Sequence, residues 1–241
     1  MFKEFTTFDQ SIPINGISCY LVDDRTFLIT SVHWLKVLSS AALGGERRRV
    51  RYIINHTVKK SYNCDNPDQD LARLAAEIGL DEGVMGLMTA VDVRHTVVRS
   101  GIRKALPVAV LCTAGTGNAC AAGIPVFPGK NATAPGTINI VVLIDGNLTG
   151  AAMVNAVITA TEAKTRAIFQ AGIRLPDGSM ATGTNTDAIV IACTGRGKPL
   201  PYAGAATKLG YLVGHTVYRA VTQGIKDYLA AVAAGRLAGC T

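Results

Sequence analysis

Thr137-Ile-Asn-Ile-Val-Val-Leu-Ile144, then Asp145-Gly146-Asn147, then Leu148-Thr-Gly-Ala-Ala-Met-Val-Asn-Ala-Val-Ile-Thr-Ala-Thr-Glu-Ala-Lys-Thr-Arg-Ala-Ile-Phe-Gln-Ala171 decide the fold reading. The first part is β-branched and apolar almost throughout, as in a strand buried on both faces. Asp-Gly-Asn is turn chemistry. The third part reads as one long helix from about Leu148 to Ala171, ended by Gly172. Downstream, Ala188–Cys193 is a second buried strand. A last helix is predicted over Ala206 to Ala233, with apolar residues at 209, 212, 213, 217, 220, 221, 225, 228 and 229, the 3.6-residue period.

Upstream the pattern changes to strands. Ile17–Val22 and Thr26–Thr30 flank Asp23-Asp24-Arg25, which suits a hairpin. Trp34–Leu38 continues the sheet until Gly44-Gly45 breaks it, and Val50–Asn55 alternates as a half-buried strand does. A short helix, Leu71–Ile78, is capped by Asp68 or Asp70 and ended by Gly79. Val84–Ala90, Thr96–Ser100 and Pro107–Thr113 are further strands. Strands come first, then helix, strand, helix, without regular βαβ alternation. That order predicts an α+β fold: a mixed, largely antiparallel β-sheet covered by long α-helices, in a single domain over residues 1–241.

Composition narrows the function classes. With 49% apolar and 17% charged residues in 241, the chain is too apolar for a disordered segment and long enough to bury a core without disulfides. The apolar run Ile140–Ile144 is far shorter than the about 20 residues of a spanning helix, so no membrane segment is expected. The first residues lack a signal peptide's basic-then-apolar form. Six cysteines without a CxxC pair fit a reduced, cytoplasmic setting. The net charge of +7 is blocked: residues 46–60 carry +5 and residues 61–92 carry −6. Nucleic acid would want a continuous basic face with interleaved aromatics, so no nucleic-acid partner is expected. Self-association stays open.

Four segments combine small residues with polar side chains: Asn55-His56, Thr113 to Gly123, Asn155 to Lys164, and Thr182 to Ala188. The second turns through Gly115, Gly117 and Gly123, so backbone N–H groups can face an anion there, and Asn118 can hold a ligand amide. It is neither a P-loop nor a dinucleotide fingerprint. In the fourth, Asp187 and three threonines precede a buried strand. At 100° per residue, Asn155, Thr159, Glu162 and Arg166 form one polar strip of the long helix, beside an apolar face of Val154, Val157, Ile158 and Ile168; Lys164 falls on the opposite flank of that face. His56 is the best-placed histidine for a general base. No HxxxH or HExxH pair is present, so no metal site is expected.

The ordered stretches Leu38-Ser-Ser-Ala-Ala-Leu-Gly-Gly45, Asn55-His56-x-Val58, Val84-Met-Gly-Leu-Met-Thr-Ala-Val-Asp-Val93, Thr113-Ala-Gly-x-x-Asn118-Ala, Gly136-Thr-Ile-Asn139, Ala152 through Lys164 and Ala181 through Ala188 carry a resemblance. Together they resemble the CbiZ family, the adenosylcobinamide amidohydrolases, from about residue 15 to 235. One departure is Arg47-Arg48-Arg49 after the glycine pair, where a smaller, glycine-rich stretch is expected. The resemblance implies hydrolysis of the amide joining the aminopropanol arm to a corrin-ring propionate of adenosylcobinamide. The products are adenosylcobyric acid and aminopropanol, free or phosphorylated as the substrate was, in corrinoid salvage. The corrinoid is substrate, and the sequence shows no required cofactor.

Amide hydrolysis needs a nucleophile or activated water, an oxyanion partner and an acid for the amine. In one arrangement His56 or Glu162 is the base for water, backbone N–H groups near Gly115 and Gly117 hold the oxyanion, and Asp187 orients base or amine. In another, Thr184 or Thr182 is a covalent nucleophile. Asn118, Asn139 and Asn155 would bind the corrin's peripheral amides, with Lys164 in the substrate-binding set. A non-catalytic corrinoid-binding protein and a Thr-dependent acyltransferase or self-processing hydrolase are the alternatives.

Overall fold

The computed structural model describes residues 5–8, 10, 12–125 and 136–235. The chain opens with β1 (Phe5–Thr7), β2 (Ile17–Val22) and β3 (Thr26–Ser39). Asp23 and Asp24 take positive φ (48° and 55°) in the three-residue connection Asp23–Arg25, where the Arg25 N–H donates to the Val22 carbonyl at 3.1 Å. The register Val22↔Thr26 to Ile17↔Ser31 confirms the hairpin. β3 pairs antiparallel along β4 (Glu46–Thr57) from Thr26 to Thr30 and again from Leu35 to Ser39, with an irregularity between. The strand predicted at Val50–Asn55 is longer, running from Glu46 through Arg47-Arg48-Arg49 to Thr57.

α1 (Pro67–Glu77) starts four residues earlier than predicted. Pro67 sits in its first turn and Asn66 at the cap, while Asp68 and Asp70 lie inside that turn, where their charge suits the helix dipole. Next come β5 (Val84–Thr89), β6 (Val97–Arg103), β7 (Leu106–Ala114) and the short β8 (Ala119–Cys120). β9 (Ile138–Ile144) and β10 (Asn147–Leu148) lead into α2 (Gly150–Gln170). β11 (Gly183–Thr184), β12 (Ala188–Cys193), β13 (Pro199–Leu200) and α3 (Lys208–Ala233) complete the order. Both long helices begin after a threonine, Thr149 and Thr207, whose hydroxyl accepts from the N–H three residues on.

β1-β2-β3-β12-β9-β7-β6 form one path of hydrogen-bonded neighbours, with β4 on β3 and β5 on β4. Within this sheet β12–β9 and β4–β5 are parallel and the other pairs antiparallel. The architecture is therefore α+β, with a mixed, mostly antiparallel sheet. Two cores share the central strands. On one face Val108, Val110, Ile138, Ile140, Val142 and Ile189 pack beneath α2 and α3. On the other, Ala109, Leu111, Val141, Leu143 and Val190 meet Phe27, Ile29, Val37, Ile53 and Met85 from the curled β3–β5 region. Burial on both sides is why β9 and β12 read as unbroken apolar runs.

α2 turns a different face inward than its sequence predicts. Ala152, Met153, Ala156, Ala160, Ala163, Ala167 and Ile168 are buried, while Val154 and Ile158 are each 51% exposed. Small residues let α3 approach, so that a Cβ on Gly214 would sit 3.3 Å from Thr159. Of the predicted polar strip only Thr159 is buried; Asn155 is half-buried, and Glu162 and Arg166 are exposed. Thr159 donates to the Ala203 carbonyl at 3.0 Å, and the Arg166 guanidinium lies 4.6 Å from the Tyr218 ring centroid.

Candidate active site

β9 and β12 are parallel neighbours in the register Asn139↔Ala188, so the residues just before each strand meet. Thr137 and Thr186 are hydrogen-bonded to each other through their hydroxyls. Thr186 also donates to the Gly136 carbonyl at 3.1 Å. Antiparallel β8 and β11 tie the Thr113–Gly123 segment to the same end, with Thr184 opposite Ala119. Gly136 is required there: a Cβ would fall 2.5 Å from Asn118 Oδ1 and 2.7 Å from the Gly117 nitrogen.

Lys164 reaches this end from α2 and forms an ion pair with Asp187, at 8% and 12% side-chain exposure. A buried charge survives only if paired and hydrogen-bonded. Asp187 meets the condition fully. Its Oδ1 accepts from the Ile138 N–H at 3.1 Å and from the Thr184 hydroxyl. Its Oδ2 accepts from the Thr184 N–H at 3.1 Å and from Lys164 Nζ. Four donors occupy both of its oxygens, so Asp187 is built as an anchor. It fixes Lys164, whose ammonium carries three donors, beside the cavities. Gly183 lets the pair lie against the backbone, since a Cβ would come within 2.7 Å of Asp187 Oδ2 and 2.8 Å of Lys164 Nζ.

Behind the pair runs a buried amide chain. Asn139 donates to Asn55 Oδ1 at 2.9 Å and to the Met88 carbonyl at 2.8 Å, and Asn55 donates to the Thr113 hydroxyl at 3.0 Å. With both Asn139 donors committed, its oxygen is left buried without a partner, as is Asn118 Oδ1. Such acceptors are costly unless something donates to them. Burial pushes up the thiol of Cys112 and, together with the Asp187 charge, that of Cys120. Neither is suited to act as a thiolate nucleophile.

Two cavities meet at Asp187. One, of about 510 Å³, is lined by Asn118, Gly136, Thr137, Asn139, Thr186 and Asp187, and extends to Lys59 and Lys60. The other, of about 410 Å³, is walled by Leu38, Val154, Val157 and Ile189 with Thr161, Lys164 and Asp187. Ser40 belongs to both.

Of the sequence-predicted residues, Asp187, Thr184, Lys164, Asn118 and Asn139 are thus gathered at one end of the sheet. Gly117 adjoins Gly136. Gly115 gives its N–H to the Thr137 carbonyl at 2.9 Å and faces Val91 and Tyr228. His56 lines a neighbouring cavity with Arg25 and Tyr62, and its Nδ1 lies 2.8 Å from the Thr26 hydroxyl. Glu162 is exposed and Asn155 half-buried on α2, outside the walls of both Asp187 cavities. Thr182 is bound between the Ala122 N–H and the Thr165 hydroxyl. Sequence reasoning singled out neither Thr137 nor Ser40, and it marked the segments holding Asn55, Thr113 and Thr186 without giving those three residues a role. The usable signal was that two largely apolar strands, paired in parallel, must bring their preceding residues together. Among the described residues no three His, Cys, Asp or Glu side chains converge as a metal site would require.

The family model described as adenosylcobinamide amidohydrolase matches residues 15–233. The chain belongs to the adenosylcobinamide amidohydrolase family. It is 32% identical over 217 residues to the adenosylcobinamide amidohydrolase of Methanosarcina mazei, covering 86% of this chain and 97% of that one. A second adenosylcobinamide amidohydrolase, from Halobacterium salinarum, is 36% identical over 129 residues, 52% of this chain and 51% of its own. Among solved structures, the PH0078 protein of Pyrococcus horikoshii aligns over 92% of this chain and 83% of its own, at 12% identity and a TM-score of 0.44. A likeness that loose carries nothing further. Within the amidohydrolase family, the shared span from residue 15 to 233 takes in every element from β2 to α3.

Proposed function

We propose that this protein hydrolyses the amide between the aminopropanol arm and the corrin-ring propionate of adenosylcobinamide, yielding adenosylcobyric acid for corrinoid salvage. Membership of the amidohydrolase family along nearly the whole chain carries this reading. The cavities support it: their walls combine amides for the peripheral amides of a corrin with a fixed ammonium for a carbonyl oxygen. The corrinoid, cobalt included, is substrate. The reading takes the setting to be reduced and cytoplasmic; the cysteines among the described residues are free thiols, and no helix among those residues is long and apolar enough to cross a membrane.

Lys164, held by Asp187, supplies N–H donors to the carbonyl oxygen as negative charge develops there. Asn118 and Asn139, which line the first cavity, are the residues assigned to the corrin's peripheral amides. The attacking group is either water or a threonine hydroxyl. Thr137 fits the second role better than Thr184, because Thr137 lines the cavity while Thr184 is spent on Asp187. On that route Thr137 Oγ bonds to the carbonyl carbon, its proton passes to the departing nitrogen, the C–N bond breaks, and the neutral amine leaves. Water then cleaves the ester and restores the hydroxyl.

Rapid quench with mass analysis of the intact chain separates the two routes. An adduct of cobyric acid mass on Thr137, together with loss of turnover in Thr137→Ala, supports the threonine route. A Thr137→Ala enzyme of near-normal kcat, with no adduct at any time, supports water.

A further inference from the structure

The basic stretch ending at Lys59-Lys60 is not used by the chemistry above, yet its last two residues line the cavity that holds Thr137 and Asn139. Its carboxylate, Asp187, is already neutralised by Lys164. That leaves two exposed lysines as the uncompensated charge of this cavity, and neither forms an ion pair among the described residues. Tyr62 and Asn63 continue the same wall. Across Asp187, the second cavity has the opposite character. Leu38, Val154, Val157 and Ile189 wall it, and Val154 keeps half its surface open to solvent. Ile158, one turn on from Val154 on α2, is equally exposed and widens this apolar shelf.

We infer that the two cavities fix the direction in which the amide is presented, and that Lys59 and Lys60 determine specificity for a phosphate ester on the departing arm. The inference rests on the proposed amide hydrolysis. The acyl side of the bond, with one edge of the macrocycle, lies over Leu38, Val154 and Val157. The amino-alcohol side points past Thr137 and Asn139 toward Lys59 and Lys60. An uncharged arm leaves the two ammonium groups in water. An arm ending in a phosphate monoester places two negative charges against them, and charge-assisted hydrogen bonds form. The cavity therefore selects the phosphorylated substrate by binding, without touching the bond that breaks.

Steady-state kinetics with adenosylcobinamide and adenosylcobinamide phosphate, at low and high salt, test this. The wild type is expected to favour the phosphorylated substrate, and salt is expected to erode the advantage. In Lys59→Ala/Lys60→Ala the ratio of kcat/KM, phosphorylated over unphosphorylated, is expected to fall about tenfold, through KM. Lys59→Arg/Lys60→Arg should retain the ratio. Val154→Asp should raise KM for both substrates alike and leave the ratio as it was. An unmoved ratio in the alanine variant overturns the lysine assignment. A Val154→Asp effect confined to the phosphorylated substrate overturns the direction. Wild-type enzyme that turns over neither substrate overturns the hydrolase reading, and this inference with it.

Discussion

At the scale of residues, the site turns on a carboxylate that has no spare capacity. Asp187 accepts from Ile138, Thr184 and Lys164, and each bond ties a different segment to the same point. Asp187→Asn keeps the shape but leaves Lys164 buried without its counter-charge. Breaking one partner of a buried pair costs about 3–5 kcal/mol, so urea unfolding should show a loss of that order, with turnover lost as well. The double variant Lys164→Met/Asp187→Leu removes both charges and should recover much of the stability without recovering activity. A double variant as unstable as Asp187→Asn would place the importance of Asp187 in its bonds to Thr184 and Ile138, and not in its charge.

At the scale of elements, the helices show what periodicity can and cannot reveal. The sequence marks α2 correctly as a long helix, and Thr149 and Thr207 as helix starts are visible once the boundary is known. Thr149→Ala or Thr207→Ala should each lower stability by about 1 kcal/mol, with kcat unchanged, measured by chemical denaturation and assay. The inward face of α2 was not legible. A hydrophobicity argument gives weight to Val154 and Ile158, but a helix that must lie close to α3 buries its alanines instead. That substitution of small for large turned Lys164 toward Asp187 and left Glu162 in solvent. Ala156→Leu at the buried face should therefore be worse than Val154→Leu at the shelf, by about 1–3 kcal/mol.

At the scale of the whole molecule, the fold class followed from the order of elements and the unbroken apolar runs of β9 and β12. The convergence at the ends of those strands did not, because partner choice and register depend on pairings between residues about fifty positions apart, such as Asn139↔Ala188. His56 illustrates the cost. Its neighbour Asn55 points inward to Thr113 and Asn139, while alternation along β4 sends the histidine to the next cavity. Strand periodicity alone separates the two once Asn55 is known to be buried. The same scale explains the composition: small residues at Gly136, Gly183 and along α2 let backbone and helices close around the site, and the apolar excess covers a sheet on both faces.

The most direct measurement is incubation of the purified protein with adenosylcobinamide, followed by chromatography and mass spectrometry of the products. Adenosylcobyric acid and aminopropanol in equal amounts, in many turnovers per chain, are the predicted result. Tight binding of adenosylcobinamide that is recovered intact would contradict it and make the protein a corrinoid-binding module.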